Sequence, residues 1–584
     1  MIPKVGAVVA VAVLLAMIAD AALAERQGET RSSKAVSLDY VVSLETPEEQ
    51  RVAVMLEIRG LDTAVAALHV SMPQRFAFIR LPEPLLGGPI RATAGATPLG
   101  VKRRGPYEWE VLTAGQETIR LSYEVPLTHR SAEGVRGRDA YEYPYVAEDH
   151  GLLVTPTMFV IPDELPFEHV GVRFDLPEGW RVIAPWPQGA DGAFEPASRA
   201  ALVDDLIAIG AWHVHTIRVG AFEGTIAFAP GQDALEQAAV EPIRRIVAYE
   251  LELFGRPAAG RYLFLFGRPE IAGMAGSPKT RSMTLSVESR LAPAASQYLP
   301  HLIAHEFFHT WAGGMEMPDE LRWVNEGFTD YYAYLVSARL GLDTWEQFAT
   351  TLGEKMRNCA SNPRRGKLSL ADSGGEVFFH DDGARDLVYE GGLLVAAWLD
   401  RTIRGQGRGQ TLDDLMRTFN NDPRWTANDA APSLEDFLVV AERYTNRATA
   451  KVLERFVRRP YDFDPVVEFG KLGVSVRHER RPPEMALRAN LDGTRVVNLD
   501  RNWVTYQVGV RGGDRFVEVN GQKVTDGSEV RSAWRKPREN RIRVTLERDG
   551  RHVSIDEPVP RIEAFVVSAE PWREGATCGD MSGD

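Results

Sequence analysis

Residues 301–334 read HLIAHEFFHTWAGGMEMPDELRWVNEGFTDYYAY. On a helix of 3.6 residues per turn, His305 and His309 stack on one face, where two imidazoles can take two corners of a zinc tetrahedron. Glu306, one position round from His305, can reach a water beside the metal without being a ligand itself. The run Tyr298-Leu299-Pro300 is a proline start signal, so this helix is expected to begin near Pro300. A second helix, expected from Trp323 to about Leu340, carries Glu326 and, four residues on, Asp330. A carboxylate one turn beyond a third ligand is placed to accept the spare N–H of a ligand histidine. Metal-assisted hydrolysis needs this donor set.

The motif HEFFH followed by NEGFTDYY resembles the thermolysin-like zinc peptidases with a glutamate third ligand, and most of all the glycyl aminopeptidase family of bacterial metallopeptidases. The resemblance implies one Zn2+ held by His305, His309 and Glu326, with Glu306 as the base and Asp330 orienting a ligand. It also implies a role for Tyr389 in Leu387-Val388-Tyr389-Glu390-Gly391-Gly392, which looks like the Y-x-K-G motif of related enzymes. There the tyrosine hydroxyl stabilises an oxyanion; Gly391 stands here in place of the usual lysine. His380, beside Asp381 and Asp382, is the rival donor, although a lone histidine beside acids is more often a surface pair.

Substrate recognition is expected from Ala272-Gly273-Met274-Ala275-Gly276-Ser277. In related aminopeptidases the segment reads G-G-L-E-H or G-x-M-E-N, and its glutamate binds the substrate's free amine. Gly273 and Met274 fit that pattern, but Ala275 stands where the glutamate would be. A desolvated ammonium needs an anionic partner, so either another acid such as Glu288 replaces it or the enzyme cuts internally.

The wider chain reads as a multidomain α+β protein. MIPK, an apolar run from Val5 to Ala19 and Ala22-Leu23-Ala24 make residues 1–24 an expected signal peptide, and the chain an exported, periplasmic or secreted one. The run is short for a membrane span, so no transmembrane segment is expected after cleavage. Residues 25–224 alternate with period two, as in 51–58, 118–125 and 169–176, and are read as a β-sandwich-like domain. Residues 225–462 are read as the thermolysin-like zinc peptidase domain, a small β-sheet followed by a mainly helical lobe. Its expected elements are a helix over 234–254 and strands over 261–266 and 282–287.

Residues 463–566 include Tyr506 to Val524, YQVGVRGGDRFVEVNGQKV, which resembles a PDZ domain and carries the hairpin pair Asn520-Gly521. The resemblance makes Leu472, Gly473 and Val474 the candidate loop for the C-terminal carboxylate of a peptide. Residues 567–584, rich in Gly, Ser and acids, are expected to form an unstructured tail. The net charge of −14 without basic runs argues against nucleic acid as a partner. Cys359 and Cys578 have no zinc-type spacing, and no disulfide is indicated.

The expected activity is zinc-dependent hydrolysis of peptide or protein substrates, aminopeptidase-like by resemblance. An endopeptidase, or a peptide-binding protein with a vestigial zinc site, remains the alternative. The intact Glu306 argues against the vestigial reading, because a structural zinc needs only its ligands.

Overall fold

In the strand Val36–Ser43 every second side chain (Val36, Leu38, Tyr40, Val42) is buried, as a pleated strand covered on one face requires. The computed structural model describes residues 35–76, 79–80, 83–127, 143–163, 165–255, 260–267, 274–287, 295–312, 317–426, 431–483, 485–499 and 503–573. These fall into two compact units, divided between residues 211 and 212.

The first unit is β-rich. A six-stranded sheet runs in the order Phe167–Asp175, Val36–Ser43, Arg51–Arg59, Thr118–Pro126, Arg91–Ala94, Thr97–Leu99, with its first pair parallel. Two four-stranded sheets share the same apolar core, where the sequence pattern pointed to a sandwich. Two inward tyrosines anchor an irregular stretch inside it. Tyr40 donates to the Val160 carbonyl at 2.8 Å, and Tyr123 donates to the Met158 carbonyl at 2.9 Å. Buried backbone outside a ladder needs such partners.

The second unit opens with a five-stranded sheet in the order His213–Val219, Phe222–Phe228, Arg261–Phe266, Ser282–Val287, Met274–Pro278. The strands over 261–266 and 282–287 lie where the sequence puts them. The division expected between 224 and 225 lies thirteen residues earlier, because His213–Val219 pairs along its whole length with Phe222–Phe228 and so belongs to this sheet. Phe222–Phe228 and Arg261–Phe266 are parallel, and the helix Asp233–Phe254 makes the crossover between them. That helix packs on Ala295–Ala312, which in turn lies beside the edge strand Met274–Pro278. Pro300 sits inside this helix rather than at its start. A proline one turn in forfeits only a single backbone bond, and the buried Leu299, Ile303 and Ala304 hold the helix on its core.

The C-terminal β-rich part has its own small core, built from Leu491, Val496, Phe516, Val519, Val544 and Leu546 on antiparallel strands and Trp534 on the helix Gly527–Trp534. The segment before it behaves differently. Val474 is buried in the core of the helical lobe and Leu472 packs against that core, so neither lines an open peptide groove; only Gly473 reaches a shallow surface hollow. The expected tail also needs correction. Residues 568–573 are ordered, and Trp572 is buried between Phe348 and Phe469, with Arg401 over its ring. One large indole supplies the burial that the surrounding Gly and acids lack. Residues 574–584, with Cys578, lie outside the described residues, as do 1–34. Cys359 is a free, buried thiol.

Candidate metal centre

His305 and His309 stand on adjacent turns of Ala295–Ala312, with their Nε2 atoms 3.3 Å apart. The Glu326 Oε2 atom lies 3.6 Å from one and 3.7 Å from the other. For metal–ligand bonds of about 2.0–2.1 Å, a tetrahedron has edges of roughly 3.3–3.4 Å. The three donors are therefore already spaced close to the edges of one tetrahedral face. All three residues are buried, and Glu326 Oε2 has no hydrogen-bond partner among the described residues. An orphaned, buried carboxylate oxygen facing two imidazole nitrogens fits a zinc ion.

The other nitrogen of each imidazole is held from behind. Asp330 Oδ1 accepts from His305 Nδ1 at 2.9 Å, as expected, and Asn325 Oδ1 accepts from His309 Nδ1 at 3.1 Å. Both bonds fix the tautomer that turns an Nε2 lone pair inward. The residues 301–334 contain Asn325, but only the fold reveals that it faces His309. Burial pushes both imidazoles down. In His305 the neighbouring Asp330 and Glu326 carboxylates win and raise it well above the ordinary value, while in His309 burial wins and lowers it to about 4. Burial also raises Glu326, but the two histidines and a hydrogen bond from Tyr389 hold it below the usual carboxylate range.

Glu326 and Tyr389 come together through an irregularity that helical spacing does not announce. Each sits in a single π-helical turn, Trp323–Phe328 and Leu387–Gly391, and each turn continues as an α-helix. Such turns recur at functional sites because the extra residue re-aims a side chain. The Tyr389 ring lies nearly parallel to that of His305, with centroids 6.1 Å apart. His380, in contrast, is exposed and paired with Glu376 at 3.0 Å, a surface pair.

The strand Met274–Pro278 supplies a contact that the sequence reading missed. A methyl group placed on Gly276 would come within 2.5 Å of Glu306 Cγ and overlap its carboxylate. The base candidate is thus packed directly against the backbone of the edge strand. Met274 packs against the helical core and Ala275 is half-buried, while Gly273 and Glu288 lie outside the described residues. The glycine run was visible in the sequence; which glycine meets Glu306 depends on the strand's register.

Comparison with known proteins agrees with this geometry. Residues 39–211 match the family model described as the peptidase M61 N-terminal domain, and residues 299–395 match that of M61 glycyl aminopeptidase. No curated protein matches the chain. Among solved structures, an aminopeptidase N family protein from Idiomarina loihiensis superposes with a TM-score of 0.71 at 15% identity, over 93% of this chain and 100% of that one. An M1 zinc metallopeptidase from Deinococcus radiodurans gives a TM-score of 0.50 at 13% identity, over 74% and 96%. These two likenesses concern the fold.

Proposed function

We propose that this chain, a zinc metallopeptidase with M61 N-terminal and M61 glycyl aminopeptidase domains, hydrolyses peptide bonds with Glu306 as its base and one zinc ion at His305, His309 and Glu326. The observation that carries the reading is the convergence of those three donors within 4.8 Å of one another. A zinc ion there supplies Lewis acidity to the scissile carbonyl and to the attacking water. Glu306, held by the Gly276 backbone, takes the water's proton and hands it to the leaving amine. In the transition state Tyr389 shifts its O–H from Glu326 to the developing oxyanion, a bond worth about 2.7–4 kcal/mol when well aimed. Asp330 and Asn325 keep the imidazoles in register throughout.

The match to the M61 glycyl aminopeptidase model supports action at a free amino terminus. Ala275 favours a second reading, internal cleavage, because it leaves the edge strand without the carboxylate that would pair with an ammonium. Mass spectrometry of products from one peptide with a free and one with an acetylated N-terminus separates the two. Stepwise loss from the free peptide alone supports the aminopeptidase; internal cuts in both support the endopeptidase. If zinc-loaded protein cleaves neither peptide, the hydrolase reading fails.

Two wider readings join this one. The apolar run before Ala22-Leu23-Ala24 supports export to the periplasm or beyond, and N-terminal sequencing of the mature protein tests it. The separate core of the C-terminal β-rich part and its Asn520-Gly521 hairpin support a PDZ-like module that binds peptide. Titration with C-terminal peptides tests this, the carboxylate being bound by residues other than Leu472 and Val474.

A further inference from the structure

Asp330 is buried, and its two oxygens serve three groups. Oδ1 accepts from His305 at 2.9 Å and lies 3.4 Å from His301 Nε2, while Oδ2 lies 3.5 Å from the ammonium of Lys355. That ammonium is also 3.8 Å from Glu390 Oε1, which accepts from Asn358 at 2.7 Å. Glu390 directly follows Tyr389 in the π-turn. Lys355 further lies over the Tyr334 ring at 5.8 Å, and Tyr334 stacks on His301 with centroids 3.9 Å apart. One cation thus meets the helix that orients His305 and the turn that carries Tyr389.

The helix bearing Lys355, Trp345–Ser361, is itself fixed from its other side. At Gly353 it lies so close to Phe565 that any side chain would overlap the Phe565 carbonyl oxygen. Glu354 pairs with Arg488, and Arg357 stands over the Trp503 ring at 4.9 Å. Lys355 therefore projects from a clamped helix.

We infer that Lys355 is a positioning residue that holds Asp330 and the Tyr389 turn in the arrangement the metal needs. The inference rests on the zinc reading above. A buried carboxylate without a compensating charge turns towards another partner, and that change releases His305 Nδ1.

The test is competition for zinc against a chromogenic chelator, with the full chain, Lys355→Met, Lys355→Gln and Lys355→Arg. Thermal unfolding of the metal-free proteins and steady-state kinetics accompany it. Lys355→Met and Lys355→Gln are expected to bind zinc at least tenfold more weakly, with kcat lowered and KM within about twofold of the parent. Lys355→Arg keeps the charge and is expected to stay within about threefold of the parent. If whichever neutral variants fold bind zinc as the parent does, or if Lys355→Arg falls with them, the inference is overturned. Failure of the parent itself to take up zinc sinks the metal reading instead, so the two failures are distinguishable.

Discussion

Gly327 and Gly392 meet back to back: a methyl group added to Gly327 would lie 2.5 Å from Gly392 Cα, and one on Gly392 would overlap the Trp323 carbonyl oxygen. The two π-turns can approach closely enough for Tyr389 to reach Glu326 because neither position carries a side chain. Gly392→Ala should therefore force the turns apart. Overpacking of this kind costs about 1–3 kcal/mol, so a lower Tm with weaker zinc retention is expected. Unchanged unfolding and zinc content would contradict the contact.

Gly276→Ala acts on a different link. The new methyl displaces the Glu306 carboxylate, the atoms nearest to it all belonging to Glu306. A fall in kcat of about 10²-fold or more is expected, with zinc affinity retained. Steady-state kinetics beside a zinc titration separate this from general disruption, and loss of zinc would contradict it.

The two orienting acceptors should behave alike despite their different charge. Asn325→Ala frees His309 as Asp330→Ala frees His305. Each is expected to weaken zinc binding about 10–100-fold. Chelator competition measures this, and a silent Asn325→Ala would show that packing alone fixes His309.

Glu250 gives a pH signature. It is fully buried on Asp233–Phe254, and neither carboxylate oxygen has a hydrogen-bond partner among the described residues. Burial raises its carboxyl well above the ordinary value, with His305 opposing. The folded protein thus keeps this proton at a pH where the unfolded chain has lost it. The stability associated with it is full below the unfolded value and declines as pH rises towards the folded one. Glu250→Gln removes that decline. Tm measured against pH should show the variant's advantage widening from acid towards neutral pH. A constant gap would contradict the assignment.

The sequence exposes what local spacing controls. His305 and His309 follow from helical pitch, the strand Arg261–Phe266 from its run of apolar residues between polar neighbours, and Asp330 from its distance to Glu326. It hides what depends on close approach between distant segments. Gly276, Gly392 and Lys355 matter through what they touch, and a glycine or lysine alone does not declare its neighbour. The π-turns evade a 3.6-residue template for the same reason: the extra residue shows only in the backbone path. Trp572 escapes a compositional reading, because a window of Gly and acids outweighs one docking indole.

The central claim, zinc-dependent hydrolysis with Glu306 as the base, is tested most directly by Glu306→Gln. This variant keeps His305, His309 and Glu326 and replaces the proton acceptor with a neutral isostere. Peptide hydrolysis by zinc-loaded parent, chelator-treated parent and zinc-loaded Glu306→Gln would be compared, with zinc content measured on each. The account predicts activity in the first alone, with Glu306→Gln retaining one zinc per chain and losing at least about 10²-fold in kcat. A Glu306→Gln variant that holds zinc and cleaves as the parent does would contradict it.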